Sequence, residues 1–362
     1  MLPHGKWAAA GCWLRYIVSC LRLLPRMIFY FHGTFRRLHR VKDQCIQEED
    51  MDTFLAVFRE MGMLYIIFLA GWGAVKTGLL PETSQGVFTK LLLYVTLPCL
   101  IVTSLHAPFE MDRSLGVLAL LMFSAYFLIS TAFIGKWTAR LLKLSRERSG
   151  VYENLILFGN QGYIGVAIVL QLFGQNGLFF AMVFNMIYFI MIWTYGIAVM
   201  QRGKPREERA SLWINPGFLA TAIGLLFFFL PMSLPQPLFG ALENIGEMTI
   251  PLSMLLIGCL IASVRLHDLK GFLCSPLLWA TVSARLFFLP FLLFLPFVFT
   301  SIPFEWLAIA VIISATPSAP TVSLYAENYG GDTAFASVAV FVSTLVAAVT
   351  LPLLFGVFHV LY

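Results

Sequence analysis

The sequence has few charged residues and offers no recognisable cofactor or metal site. Only 12% of its 362 residues are Asp, Glu, Lys or Arg, whereas soluble domains carry roughly a quarter. Its six cysteines are scattered without the spacing of a metal site or a redox pair. A Gly-rich phosphate loop, a nucleophile elbow and paired His or Cys ligands are all missing from the sequence. These absences argue against a soluble domain and against cofactor or metal chemistry.

Long apolar runs are abundant instead. From Met51 onward, runs of about 18 to 28 residues recur with short gaps, and each is long enough to cross a hydrocarbon core of about 30 Å as a helix. The alternating polarity of barrel strands is missing. We therefore predict an all-α integral membrane protein with about ten transmembrane helices. The predicted spans are residues 54–79, 87–106, 115–137, 151–173, 177–200, 212–231, 238–264, 272–299, 304–326 and 333–361.

Basic residues between the spans predict the orientation of the chain. Thirteen Lys and Arg residues fall in one set of alternate loops, and the opposite set holds only Arg113. Because Lys and Arg in short loops are retained in the cytoplasm, span one runs from outside to inside. The net charge of +5 therefore reflects membrane topology, and we expect no nucleic acid partner.

Two short motifs recur along the chain at nearly one offset. A Thr-aliphatic-Pro sequence ends at Pro98 in span two and at Pro251 in span seven, 153 residues apart, and we expect both prolines to break their helices. Aromatic-Gly pairs at Gly174 and Gly330 follow spans four and nine, 156 residues apart. Since five spans per copy is an odd number, the second copy must be inverted, as in many secondary transporters. We predict two five-helix repeats, residues 51–201 and 212–362, joined by a cytoplasmic linker at 202–211.

Spans four and nine each contain a segment that is unsuited to continuous helix. Span four carries Gly159-Asn160-Gln161-Gly162, and span nine carries Thr316-Pro317-Ser318 and Pro320. Proline removes a helix donor and each glycine costs about 1 kcal/mol relative to alanine, so we expect both helices to unwind near the bilayer midplane. Half-helix starts carry partial positive charge, so two such breaks at matching places predict a site for an anionic group. The alternative is structural, with glycines for close packing and prolines for kinks.

Two charged residues inside the spans are candidates for charge coupling. Arg285 lies near the middle of span eight, where a charge is costly unless it is paired or solvated. It either neutralises a substrate carboxylate or responds to a coupling cation; the alternative is snorkelling or pairing with an acidic residue. Glu247 in span seven is a candidate proton carrier, with the lining of a wet funnel as the alternative.

At these motifs the sequence resembles the auxin efflux carrier family, whose bacterial members are proposed to move malonate, malate and similar anions. The resemblance covers about residues 54–362. It implies spans four and nine that cross at the substrate site, and a scaffold part that moves against a transport part. The matching segments are Tyr94–Pro98, Gly159–Gly165, Ile250–Gly258, Thr316–Ser318 and Ala326–Asp332.

By match, Asn160 and Gln161 would be the polar contacts from span four, and Pro317 and Ser318 those from span nine. The complete candidate substrate site is Asn160, Gln161, Gly162, Thr316, Pro317, Ser318 and Pro320. One departure is Ala167, where bacterial members commonly have proline.

We therefore expect a secondary transporter that moves a small organic anion, a carboxylate, across the membrane by alternating access. We expect a multi-pass protein of the bacterial inner membrane, with H⁺ and Na⁺ as candidate coupling ions and a homodimer as the candidate assembly. The alternative is an intramembrane enzyme or a sensor on a transporter scaffold. An enzyme would need clustered nucleophiles, metal ligands or carboxylate pairs, which the sequence lacks.

Residues 1–50 form a basic extension that does not fit this topology. Their eight Lys and Arg residues would lie outside, so we expect translation to begin at Met51. The alternative is an added amphipathic or eleventh helix that keeps the segment inside. A tagged cell extract tests the expectation, and a product of full length would contradict it.

Overall fold

A computed structural model describes residues 62–81, 83–106, 114–202, 216–230, 234–263 and 271–362. The basic segment 1–50, with the expected start at Met51, and all but the first residue of the predicted linker 202–211 lie outside the described residues. Within the described residues the secondary structure is helical, and extended backbone pairs only in an isolated bridge between Gly159 and Ser318. The predicted all-α fold class is therefore confirmed.

The helices within the described residues are α1 Gly62–Lys76, α2 Ser84–Ser104, α3 Ser114–Leu141, α4 Arg146–Leu157, α5 Val166–Met200, α6 Pro216–Phe229, α7 Gln236–Glu247, α8 Thr249–Ser263, α9 Pro276–Phe299, α10 Phe304–Ser314, α11 Pro320–Tyr329 and α12 Thr333–Leu361. Six helical stretches in this part of the chain are long and apolar enough to cross a membrane: α2, α3, α5, α7 together with α8, α9 and α12. Shorter apolar helices are α1, α6 and α10.

The two repeated prolines have different local effects. Pro98 follows a π-helical turn, Leu92–Thr96, and α2 continues through it, because the wider turn relieves the clash between the proline ring and the preceding carbonyl. Pro251 lies in the first turn of α8, just after a turn at Met248 that separates α8 from α7. A proline is tolerated there because an N–H in the first turn has no partner within the helix. The chain therefore breaks before Pro251 but only bulges before Pro98.

Gly174 interrupts α5. Its φ of 60° and ψ of −153° are far from helical values, and this conformation is readily available only to glycine. The residue divides α5 into 166–173 and 175–200. The division lies at the predicted boundary between spans four and five.

The two helices that precede the predicted breaks are enclosed by protein. Every residue of α4 from Gly150 to Leu157 is buried, and so is every residue of α10 from Leu307 to Ser314. α4 packs against α3 and α12, and α10 packs against α3, α5 and α12. Irregular backbone at membrane depth requires this burial, since lipid offers no hydrogen-bond partners.

Two ion pairs anchor α4, one near its beginning and one in its second half. The carboxylate of Glu153, which is 2% exposed, accepts hydrogen bonds from Arg202 Nη1 at 2.6 and 2.7 Å and from the Tyr195 hydroxyl at 3.2 Å. Arg148 Nε donates to Asp332 at 2.8 Å, and Asp332 also caps α12 by accepting from the Phe335 N–H. α4 is thereby tied both to the end of α5 and to the start of α12.

Removing the two arginines should have unequal effects on stability. Arg202→Gln leaves the buried carboxylate of Glu153 without its cation, so we expect the free energy of unfolding to fall by about 1–3 kcal/mol. This loss is below the range for a wholly buried pair because the Arg202 side chain is 40% exposed. Arg148→Gln breaks a more exposed pair and should cost less than about 1 kcal/mol. Thermal unfolding of the purified variants in detergent measures both. Equal losses would contradict the assignment of Glu153 as the buried partner.

Candidate functional site

Two extended segments cross where α4 and α10 end. The backbone is extended at Phe158 (φ −101°, ψ 113°) and at Ala319 (φ −68°, ψ 137°). Asn160 N donates to the Pro317 carbonyl at 2.7 Å, and Ala319 N donates to the Phe158 carbonyl at 2.9 Å. Segments 158–160 and 317–319, here called the crossover, therefore satisfy each other's backbone groups in antiparallel pairing. The break in the chain precedes Ala167, so it does not depend on a proline at that position.

Hydroxyl groups from three elements hold the crossover in place. Ser318 Oγ donates to the Leu155 carbonyl at 2.9 Å, and the Ser318 N–H donates to Ser343 Oγ on α12 at 3.2 Å. The Tyr188 hydroxyl on α5 donates to the Gly159 carbonyl at 3.0 Å. The predicted residue Ser318 is therefore a structural contact between the two broken helices.

Arg285 binds the carbonyl end of α4 and the unwound segment that follows α10. Its Nη1 donates to the carbonyls of Ile156 (3.3 Å) and Leu157 (3.2 Å) at the end of α4. Its Nε donates to the Thr316 carbonyl at 3.0 Å, and its Nη2 donates to Thr316 Oγ1 at 3.2 Å. The side chain is fully buried, and its Cζ lies 5.7 Å from the centre of the Phe127 ring. The guanidinium thus supplies donors for carbonyls that have no partner within their helices.

The position of Arg285 argues against two of the sequence-based readings, snorkelling and pairing with an acidic residue; a role in charge coupling stays a prediction. The side chain is fully buried, so it does not snorkel, and no Asp or Glu among the described residues forms an ion pair with it. Arg285 is not part of the lining of the cavity beside the crossover, and its four hydrogen bonds go to three backbone carbonyls and to the Thr316 hydroxyl. Direct contact with a substrate carboxylate is therefore not supported.

Gly159 is required by the close approach of this guanidinium. A Cβ atom at position 159 would overlap Arg285 Nη2 and Thr316 Oγ1. Both of these atoms are part of the buried network, so neither can move aside without the loss of hydrogen bonds. The glycine therefore permits the cation to reach the crossover.

A cavity of about 60 Å³ adjoins the crossover. At about 30 Å³ per water molecule, that volume holds roughly two waters. Its walls combine a few polar groups with aliphatic and aromatic side chains from α2, α5, α8, α11 and the crossover. The lining residues are Leu97, Leu100, Ile101, Ser104, Asn160, Gly162, Tyr188, Phe189, Ile192, Trp193, Thr249, Ile250, Ser253, Ala319, Pro320, Thr321 and Leu324.

Three polar groups of the lining are buried without a partner. Asn160 Nδ2, Trp193 Nε1 and Thr249 Oγ1 make no hydrogen bond within the described residues, although their side chains are only 2 to 8% exposed. All three can donate, and the indole N–H can only donate. A buried polar group left unpaired costs about 1–3 kcal/mol, so an acceptor atom of a ligand would be stabilised where it reaches one of these donors.

The predicted site residues fall into three groups. Asn160, Gly162 and Pro320 line the cavity, whereas Thr316, Pro317 and Ser318 hold the crossover together. Gln161 is fully buried with both amide atoms unpaired, but it does not line the cavity. Glu247 is exposed and also lies outside the lining, and its role as a proton carrier stays a prediction.

Sequence reasoning missed several residues of the lining. Thr249 and Thr321 lie within the proline motifs, and this proximity was a usable signal. Tyr188 and Trp193 lie in a long apolar span that gave no such signal. Trp193 fits because its indole ring packs on Gly217, where a Cβ would overlap it.

The family of membrane transport proteins matches this chain over residues 56–212 and 209–355. The chain belongs to this family. The resemblance to auxin efflux carriers is thereby confirmed. The chain is thus a multi-pass member of a transporter family, and an enzyme or a sensor is not favoured. Within the described residues, no three His, Cys, Asp or Glu side chains are grouped to hold a metal ion.

Two curated relatives are both uncharacterized transporters. YBR287W of Saccharomyces cerevisiae is 23% identical over 159 residues, which are 39% of this chain and 37% of the relative. MJ1031 of Methanocaldococcus jannaschii is 21% identical over 206 residues, which are 54% of this chain and 66% of the relative. The chain therefore spans less than two thirds of the length of either relative.

Two glycines of one motif should differ in their tolerance of alanine. Gly159→Ala places a methyl group against Arg285 and should sharply reduce the yield of folded protein. Gly162→Ala meets only Phe189 Cζ at 3.8 Å, an ordinary contact, and should fold. Size-exclusion profiles and thermal unfolding in detergent compare the two variants. Similar yields would contradict the packing of the guanidinium against residue 159.

Proposed function

We propose that this protein is a secondary transporter that moves a small organic anion by alternating access. The observation that carries the proposal is that three residues of the cavity lining, Asn160, Trp193 and Thr249, each carry a buried side-chain donor without a hydrogen-bond partner within the described residues. Family membership makes transport the expected activity, and this chemistry points to the class of substrate.

A carboxylate matches these donors. Its two oxygens accept several hydrogen bonds and carry the negative charge that strengthens each one. The N–H groups at the start of α11 and near Gly162 add partial positive charge at the same wall. Much of the remaining lining is aliphatic or aromatic, for example Leu100, Phe189 and Leu324. We therefore favour a monocarboxylate with an apolar body over a dicarboxylate such as malonate.

The helices are consistent with ten spans in two inverted repeats. The first repeat would comprise α1, α2, α3, α4 with 161–173, and 175–200. The second would comprise α6, α7 with α8, α9, α10 with α11, and α12. In this assignment the broken spans are the fourth of each repeat, which gives the two breaks equivalent places in an inverted pair.

The cavity lies at the boundary between two groups of helices, which would move against each other in alternating access. On one side are α2 and α8, and α2 also packs against α6 and α7. On the other side are the crossover, α5 and α11. Movement of one group against the other would open the cavity to the two sides of the membrane in turn. Coupling to H⁺ or Na⁺, the bacterial inner membrane and a homodimer stay predictions.

Flux in proteoliposomes tests the proposal. The panel contains monocarboxylates with aliphatic and aromatic bodies, the dicarboxylates malonate and malate, and the neutral amides of the same acids. We expect the protein to move carboxylates, with monocarboxylates moving faster than dicarboxylates and the amides moving very slowly. Each flux is measured with and without pH and Na⁺ gradients. No flux of any carboxylate would contradict the proposal.

One variant tests the site in the same assay. Asn160→Ala removes a donor whose bond to a charged group is worth about 1.5–3 kcal/mol, so carboxylate binding should weaken roughly 10- to 100-fold. Asn244→Ala, on the exposed surface of α7, is the matched control and should transport normally. Unchanged flux in Asn160→Ala would remove that residue from the site.

A further inference from the structure

The crossover brings together four half-helix ends of two kinds. α4 and α10 end there, so their last carbonyls point toward it. Two helical segments begin at the crossover: the turn Gln161–Gly165, which leads into α5, and α11. Their first N–H groups therefore point toward the crossover. Each helix end carries roughly half an elementary charge, negative at a C-terminus and positive at an N-terminus. The two kinds of end have different neighbours in this protein.

The carbonyl ends face a fixed cation. Arg285 donates four hydrogen bonds, to the carbonyls of Ile156, Leu157 and Thr316 and to Thr316 Oγ1, and so uses four of the five N–H groups of a guanidinium. Its charge of +1 offsets the combined charge of about −1 from the two C-termini. The N-terminal ends lie next to Gly162 and Pro320 in the cavity wall, whose described lining contains no Asp or Glu that would offset their charge. The two N-termini together carry a partial charge of about +1, which is available to attract an anionic ligand in the cavity.

We propose that Arg285 permanently occupies the cation position of the crossover, so that an anion binds in the cavity without a coupling cation beside it. This inference rests on the proposed transport of a carboxylate. In other transporters with discontinuous helices, unwound carbonyls and half-helix C-terminal ends coordinate the coupling Na⁺ or H⁺. Here those carbonyls are already bonded to the guanidinium, which reaches them because Gly159 has no side chain. Arg285 is thus a positioning residue that sets the charge of the site without touching the substrate.

A purely structural clamp would predict something different. If only the hydrogen bonds of Arg285 mattered, a neutral donor in its place would restore the site. If the charge of Arg285 matters, only a cation in its place will restore the site. Guanidinium and urea distinguish the two cases, since they are similar planar donors that differ in charge.

The first experiment measures thermal unfolding of the purified Arg285→Ala variant and needs no transport assay. Millimolar guanidinium chloride should raise its unfolding temperature, whereas urea at the same concentration should not. Choline chloride controls for ionic strength, and the wild-type protein should gain nothing from guanidinium. Equal effects of urea and guanidinium, or no effect of either, would overturn the proposal. So would a variant as stable as the wild-type protein.

The second experiment measures charge selectivity as the ratio of affinities for a carboxylic acid and its amide. This ratio does not depend on how much of each variant is folded. We expect the wild-type protein and Arg285→Lys to prefer the acid at least tenfold, and Arg285→Gln to lose most of that preference. An unchanged ratio in Arg285→Gln, or wild-type binding that requires Na⁺, would overturn the inference. If the wild-type protein binds and moves no carboxylate, the proposed function fails, and the unfolding experiment still decides on the cation.

Discussion

Neither broken helix of this protein satisfies its own backbone, and the antiparallel pairing between Phe158–Asn160 and Pro317–Ala319 supplies what each lacks. An unpaired backbone group in hydrocarbon costs several kcal/mol, so the two breaks are stable only together. The same requirement explains why residues 150–157 of α4 and 307–314 of α10, which lead into the breaks, are all buried. It also explains the position of Arg285, whose guanidinium donates hydrogen bonds to carbonyls that have no partner in this pairing.

The polar groups around the crossover divide into those that are paired and those that are not. Ser318 and Tyr188 spend their hydroxyls on backbone carbonyls and thereby fix the geometry. Asn160, Trp193 and Thr249 line a largely apolar cavity, and each carries a buried side-chain donor without a partner within the described residues. An unsatisfied buried group calls for an explanation, and a bound water or ion is one. The distinction separates side chains that hold the crossover from side chains that keep an unpaired donor.

Charge at this site is set by helix ends as much as by side chains. The described lining of the cavity contains no Asp, Glu, Lys or Arg, yet the starts of two half-helices face it. A carboxylate can be bound in this way without a lysine or arginine in direct contact, in the manner of anion sites at helix N-termini. A weakly held anion is also easier to release, which suits a carrier that must let its substrate go.

The amino-acid sequence by itself determined the all-helical membrane class and the two breaks, because both follow from local properties. Apolar run length decides what can cross a bilayer, and the clustered glycines at Gly159 and prolines at Pro317 disfavour a continuous helix. The roles of individual residues were decided only by tertiary structure. Arg285 bonds to Ile156 across 129 residues of sequence, and Trp193 and Thr249 come together from separate helices. Helical periodicity carries no information about which distant group will face a given side chain, so only packing could turn Arg285 from a candidate substrate contact into the cation that binds two helix ends.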